Sequence, residues 1–181
     1  MMVGHKNFIK MKAKPLPPLE ELKEFLDYNP DTGIFTWIKK PSNRVKVGQV
    51  AGVMNSWTCY IQIRFKGIGY KAHRLAYYMY HGVDPLGKCI DHIDGDKANN
   101  KIDNLRLATN SQNAMNRHNV PSNNTSGISG VDWHKSVKKW HSRIMVDGVR
   151  KSLGFFINIE DARKARKEAE IKYFGEFKGQ N

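Results

Sequence analysis

The spacing of apolar positions changes period several times along this chain, and each change marks an expected element. Leu19, Leu22, Phe25 and Leu26 recur at helical spacing just after Pro18, which predicts a first helix. Residues 28–33 read as a turn, and 34–38 form a β-favouring run. A basic loop follows at 39–44, then an irregular connection at 45–53 with two glycines. Residues 60–65 and 68–72 alternate as two strands joined by a Lys66-Gly67 hairpin turn. The run 73–82 then predicts a short helix with Leu75, Ala76 and Met79 inward, stopped by Gly82. A loop at 83–87 delivers the chain to a stretch unusually rich in Asp and Asn, 88–116.

Within that stretch, Cys89-Ile90 lead a strand that ends at Asp91-His92. Asp94, Gly95, Asp96, Asn99 and Asn100 supply turn chemistry, because Asx side chains bond their own backbone and Gly accepts positive φ. Leu105 and Leu107 alternate as a second strand. Thr109 with Gln112 reads as a capping box that opens a helix carrying Asn113. A Ser/Asn-rich segment follows, placing a linker at 117–126. Beyond it come three expected strands, 128–134, 138–146 and 149–156, with Asp147-Gly148 as a hairpin turn. Asn158, with Asp161 at the box position, is expected to cap a last helix striped by Ala162, Ala165, Ala169 and Tyr173 and ended by Gly175.

The pattern predicts an α+β protein. Residues 1–18 form a basic leader, 19–116 a first domain, and 127–177 a three-stranded antiparallel sheet packed on one helix. Composition narrows the partner. The formal net charge is +13, and the sequence pI is about 9.8. Residues 1–120 hold 18 Lys and Arg against 10 Asp and Glu, so the excess is not confined to one tail. A chain this basic favours nucleic acid over an acidic small substrate. Its apolar runs are too short to span a bilayer, and no basic amphipathic anchor is present, so no membrane partner is expected. Two distant cysteines, Cys59 and Cys89, and the lack of an apolar signal core point to an intracellular location.

The stretch 88–116 suits phosphodiester hydrolysis. Cutting a nucleic-acid backbone needs an activated water and a cation at the leaving oxygen. Carboxylate and amide oxygens suit a hard cation, and a histidine that titrates near neutrality suits the general base. Adjacent strand residues face opposite ways, so Asp91 can hold a metal while His92 faces water. Three plainer readings compete. An Asp/Asn loop is often only a turn. A calcium loop fails, because the sixth position from Asp94 is Asn99 rather than Gly and the twelfth is Leu105 rather than an acid. A zinc site lacks any close pair of cysteines.

Residues 90–96, Asn99-Asn100, Asn104-Leu105-Arg106 and Gln112-Asn113 together resemble the His-Asn-His endonucleases with the ββα-metal fold, above all phage-type homing endonucleases. The resemblance implies that His92 is the general base and that Asp91 and Asn113 hold one Mg²⁺ or Mn²⁺. It makes Asn104 the middle Asn, which pins the loop and orients the histidine. Asn113 stands where some members carry His, which leaves open whether Asn116 shares its task. It extends to His73-Arg74-Leu75: Arg74 is a candidate phosphate brace, and a part for His73 in the active site stays open beside a packing or phosphate-contacting role. The implied substrate is double-stranded DNA, nicked by a monomer or weak dimer inside a bacterial host.

The second module is similar to the plant ethylene-response-factor (Apetala) DNA-binding domain, on Gly130-Val131, Trp140, Arg143-Ile144, Leu153-Gly154-Phe155 and Glu160-Asp161-Ala162. That likeness implies a sheet lying in the major groove. Trp133, Lys135, Lys139, Arg143, Arg150 and Lys151 are then the candidate DNA contacts, and Trp140 is a core residue against the helix. Asp132 and His134 stand where plant members tend to have Arg, so no base specificity carries over. Two rival functions remain. One is a DNA-binding regulator without nuclease activity, separable by a Mg²⁺-dependent nicking assay. The other is an RNA-binding protein, separable by competition between duplex DNA and RNA.

Overall fold

The structure is a computed structural model that describes residues 14–86, 88–116, 120 and 124–179. Most of the expected leader, and positions 117–119 and 121–123 of the expected linker, lie outside the described residues. The chain divides into two compact units. The first is Met1–Lys88 with Asn100–Ile102, and the second is Cys89–Asn99 with Asp103–Asn181.

The first unit is two small antiparallel sheets and two helices. Helix α1, Leu19–Phe25, is one residue shorter than expected. Leu26 leaves the helix with φ −125° and ψ 131° and opens strand β1, Leu26–Asn29. Its Cα pairs with Trp37 at the end of β2, Ile34–Trp37, so burial of Leu26 beside Trp37 overrides its helical spacing. The turn is correspondingly tighter than expected: Gly33 N–H donates to Asn29 O, and the Asn29 side chain accepts from Asp31 and Thr32 N–H. The segment 45–53 is not wholly irregular. It holds strand β3, Val50–Ala51, and the first residue of β4, Val53–Met54, each strand two residues long.

Strand β3 completes a β1-β2-β3 sheet, and β4 joins β5, Ile61–Phe65, and β6, Ile68–Lys71. The β5–β6 turn has Lys66 and Gly67 at φ +48° and +79°, the two positive values a two-residue hairpin of this hand requires. Helix α2, Ala72–His81, ends as expected at Gly82, φ +73°, whose N–H donates to Tyr78 O. Leu22, Leu26, Phe35, Ile63, Phe65, Ala72, Leu75 and Ala76 form its buried interior. The Phe25 ring meets Phe65 edge-on at 5.3 Å.

The second unit opens with the hairpin β7, Cys89–His92, and β8, Leu105–Ala108. Helix α3, Asn110–Met115, begins with the expected capping box: Thr109 accepts from Gln112 N–H, and Gln112 accepts from Thr109 N–H. Strands β9, Val131–His134, β10, Lys139–Val146, and β11, Val149–Phe156, form one antiparallel sheet with β10 in the centre. The Asp147-Gly148 turn again has two positive φ values, +49° and +79°.

Helix α4, Ile159–Phe174, covers this sheet with Ala162, Ala169 and Phe174 buried. Asn158 precedes it in extended conformation, but its side chain makes no capping bond, so the expected box does not form. The Asp161 side chain is one methylene shorter than the Glu or Gln that normally reaches back. A 3-10 turn, Gly175–Phe177, ends the element. Ile144, Ala169 and Phe174 form the core, and Met115 of α3 packs on it with Val146, Leu153 and Tyr173. Through Met115 the strand–loop–strand–helix segment and the three-stranded sheet share one interior.

Candidate active site

The β7–β8 register sets the site. Asp91 lies directly opposite Arg106, and His92 opposite Leu105. Both Asp91 and His92 are 4% exposed. Arg106 donates from Nε and Nη2 to Asp91 Oδ2, at 2.9 and 2.8 Å. Both bonds converge on one carboxylate oxygen from one edge of the planar guanidinium, which fixes the approach of the arginine as well as its charge. Across from this pair, the residue that caps the C-terminus of α3 closes in: Asn116 Nδ2 donates to Asp91 Oδ1 and Oδ2, both at 3.1 Å, and to His92 O at 2.6 Å.

The expected loop is cinched by Asn104. Its Oδ1 accepts from Asp94 N–H at 3.0 Å, and its Nδ2 donates to Asp94 Oδ1 and Asn99 O, each at 2.9 Å. Its backbone carbonyl accepts from Ile93 N–H at 2.9 Å. These bonds fix the residues that follow His92 and hence the strand end that carries it. Partial burial would raise the Asp94 pKa. The amides of Asn99 and Asn104, the Asp96 N–H and the nearby His92 outweigh it and hold the carboxyl below its ordinary value.

Asn113 is half-buried on α3, three residues before Asn116, and the amide brought onto Asp91 is that of Asn116. Asn116 Oδ1 is buried and has no hydrogen-bond partner among the described residues. A buried amide oxygen without a donor, beside a carboxylate, is the donor chemistry a hard divalent cation takes. No group of three or more His, Cys, Asp or Glu that could hold a metal occurs among the described residues, so a cation here would rest on the Asp91 carboxylate and Asn amide oxygens. The residues present fit such an ion.

In the first unit, Arg74 is engaged by Asp84 Oδ1 at 3.0 Å and by Lys14 O at 2.9 Å, and His73 is buried beside the Tyr60 ring. The six candidate DNA contacts fall on different sides of the second unit's sheet. Alternation from buried Ile144 places Arg143 and Lys139 on the face away from α4, and Arg150, opposite Met145, with them. Arg143 is paired with Asp132 at 2.9 Å, and Lys135 is exposed in the β9–β10 turn. By the same alternation Trp133, opposite Trp140, lies on the α4 side, where the two rings meet edge-on at 5.2 Å. Lys151, opposite Ile144, lies there too, with Nζ 4.7 Å from the centre of the Tyr173 ring.

Sequence reasoning gave no role to Arg106. Its place depends on β7–β8 register across a long loop, which no local pattern states.

Residues 70–115 match the HNH endonuclease family, and this segment is an HNH endonuclease domain. The chain is 41% identical over 68 residues to Protein 3.8 of Escherichia phage T7, covering 38% of this chain and 55% of that one. It is 30% identical over 110 residues to a protein of Acanthamoeba polyphaga mimivirus called an uncharacterized HNH endonuclease, L560, covering 60% of this chain and 56% of that one. The chain thus spans about half the length of the curated relatives it matches. No solved structure matches it. No helix among the described residues is long and apolar enough to cross a membrane.

Proposed function

We propose that this chain is a metal-dependent endonuclease of the homing type that nicks double-stranded DNA. The reading rests on one observation. Within the HNH segment, Asp91 and His92 end a buried strand whose following loop is tied down by Asn104, and helix α3 brings an amide to the carboxylate. His92 takes a proton from water, and the resulting hydroxide attacks the scissile phosphorus. Asn104 keeps the loop, and so the histidine, in place. Asp91 and Asn113, with Asn116 beside them, would hold a hard divalent cation such as Mg²⁺ or Mn²⁺. Such an ion, held there, would supply positive charge for the departing 3′ oxygen.

Residues 19–116 act as the cutting domain, with Arg74 as a phosphate brace. Residues 127–177 act as an Apetala-like DNA-binding domain that chooses the site. Lys135, Lys139, Arg143 and Arg150 meet the duplex from the sheet face and its turn. Trp133 and Lys151 lie on the α4 side, and no duplex contact is proposed for them. The basic charge of both halves supports DNA as the substrate. The enzyme acts as a monomer or weak dimer, inside a bacterial host cell.

The test is His92→Ala assayed on supercoiled plasmid with Mg²⁺. Nicking falls about 10²–10⁴-fold, the scale of a lost general base, while DNA binding persists. Wild-type nicking by this variant removes His92 from the mechanism.

A further inference from the structure

Asp91 is supported by a part of the chain far from it in sequence. Arg106 uses one edge of its guanidinium, Nε and Nη2, on Asp91 Oδ2. Its remaining nitrogen, Nη1, donates to the carbonyl of Glu176. The guanidinium carbon lies 4.1 Å from the centre of the Phe177 ring. Phe177 is 8% exposed, and the side chains of Arg106 and Asp91 are 14% and 5% exposed. Gly175, at φ +52°, redirects the chain out of α4, and Lys178 N–H closes the turn onto Gly175 O at 3.2 Å.

We infer that Arg106 and the turn Gly175–Phe177 form a positioning latch for the Asp91 carboxylate, so that the end of the last helix helps set the cation site. The inference rests on the nuclease reading above. An arginine side chain left to itself samples many rotamers. Here the Phe177 ring holds the guanidinium plane from one side, and the Glu176 carbonyl takes the edge that Asp91 does not. The free edge then meets Oδ2 as a fork of two N–H donors, while Oδ1 accepts from Asn116. Groups that orient a metal-binding carboxylate in this way govern affinity without touching the ion. A lysine at 106 retains charge but cannot make the fork. A leucine at 177 retains apolar bulk but offers no ring face.

The test uses the full chain and Mn²⁺ as the probe, titrated calorimetrically, with nicking followed against Mn²⁺ concentration. Arg106→Lys and Phe177→Leu weaken Mn²⁺ binding about 10-fold, the scale of a lost supporting contact. They shift half-saturating Mn²⁺ for nicking in parallel, and saturating Mn²⁺ restores the rate. Phe177→Tyr, which keeps the ring, binds Mn²⁺ as the wild type does. Equal affinity in wild type, Arg106→Lys and Phe177→Leu overturns the latch while wild-type nicking leaves the nuclease reading standing. A wild-type chain that neither binds Mn²⁺ nor nicks DNA overturns both. If Phe177→Leu fails to fold, Arg106→Lys decides alone, since it leaves Phe177 in place.

Discussion

Gly33 shows what a single position contributes. Its φ is +72°, and a β-carbon built there would lie 2.5 Å from the Asn100 carbonyl carbon and 2.5 Å from the Lys101 nitrogen. Those atoms belong to the segment that Tyr28 Oη and the Pro30 carbonyl also hold, through Asn100 O at 2.8 Å and Ile102 N–H at 3.0 Å. Backbone cannot retreat as a flexible side chain can. Gly33→Ala is therefore expected to destabilise the first unit by about 2–4 kcal/mol, as a positive φ and a backbone clash add. Urea unfolding measures it, and a loss under 1 kcal/mol would mean the segment yields. The glycine itself was legible as a turn residue. Its close neighbour was not, because nothing in local sequence joins residue 33 to residue 100. Asp91, His92 and Asn104 were legible for the opposite reason: they lie in one short polar stretch. Arg106 lies in the same stretch, yet only strand register reveals that it faces Asp91.

At the scale of elements, period decided what was readable. The β5–β6 and β10–β11 hairpins and α2 with its glycine stop appear where alternation and turn chemistry put them. Strands of two residues, as at Val50–Ala51, have no period to read. The loop between β7 and β8 was read as turns, but its chemistry lies in one shared carboxylate. Asp94 accepts from Asn104, Asn99 and the Asp96 N–H, at 2.9, 2.6 and 2.9 Å. Burial works against the charged form and these bonds outweigh it, so the folded pKa lies below the unfolded one. A depressed carboxyl pKa contributes stability above the unfolded value of about 3.9, lost as pH falls through the folded value. The Asp96 amide resonance is expected to titrate with Asp94 at a midpoint below about 3.9. Asn104→Ala moves that midpoint upward, since one of the three opposing bonds goes. A midpoint unmoved by Asn104→Ala would show that the loop does not depend on this amide.

For the molecule as a whole, under the proposed reading, charge sets affinity for the duplex and the sheet sets where charge can act. A formal +13 spread over both halves makes duplex binding release counterions, so the logarithm of affinity falls linearly with the logarithm of salt. A chain meeting six to ten phosphates loses about 10³–10⁵-fold between about 50 and 200 mM salt. Composition cannot say which cations count, because it does not know which face of the sheet each one occupies. Arg150 pairs with exposed Met145 and lies away from α4, whereas Lys151 pairs with buried Ile144 and sits over the Tyr173 ring. The adjacent positions thus make opposite predictions. Arg150→Ala weakens duplex binding and lowers the magnitude of the salt slope by about 1, the loss of one phosphate contact. Lys151→Ala leaves the slope unchanged and costs about 0.5–1 kcal/mol of fold stability, the cation–ring contact. Fluorescence anisotropy on a labelled duplex across a salt series measures the slopes, and thermal unfolding measures the stability. If Lys151→Ala flattens the slope while Arg150→Ala does not, the duplex approaches the sheet from the side of α4, and the face proposed for DNA is the wrong one.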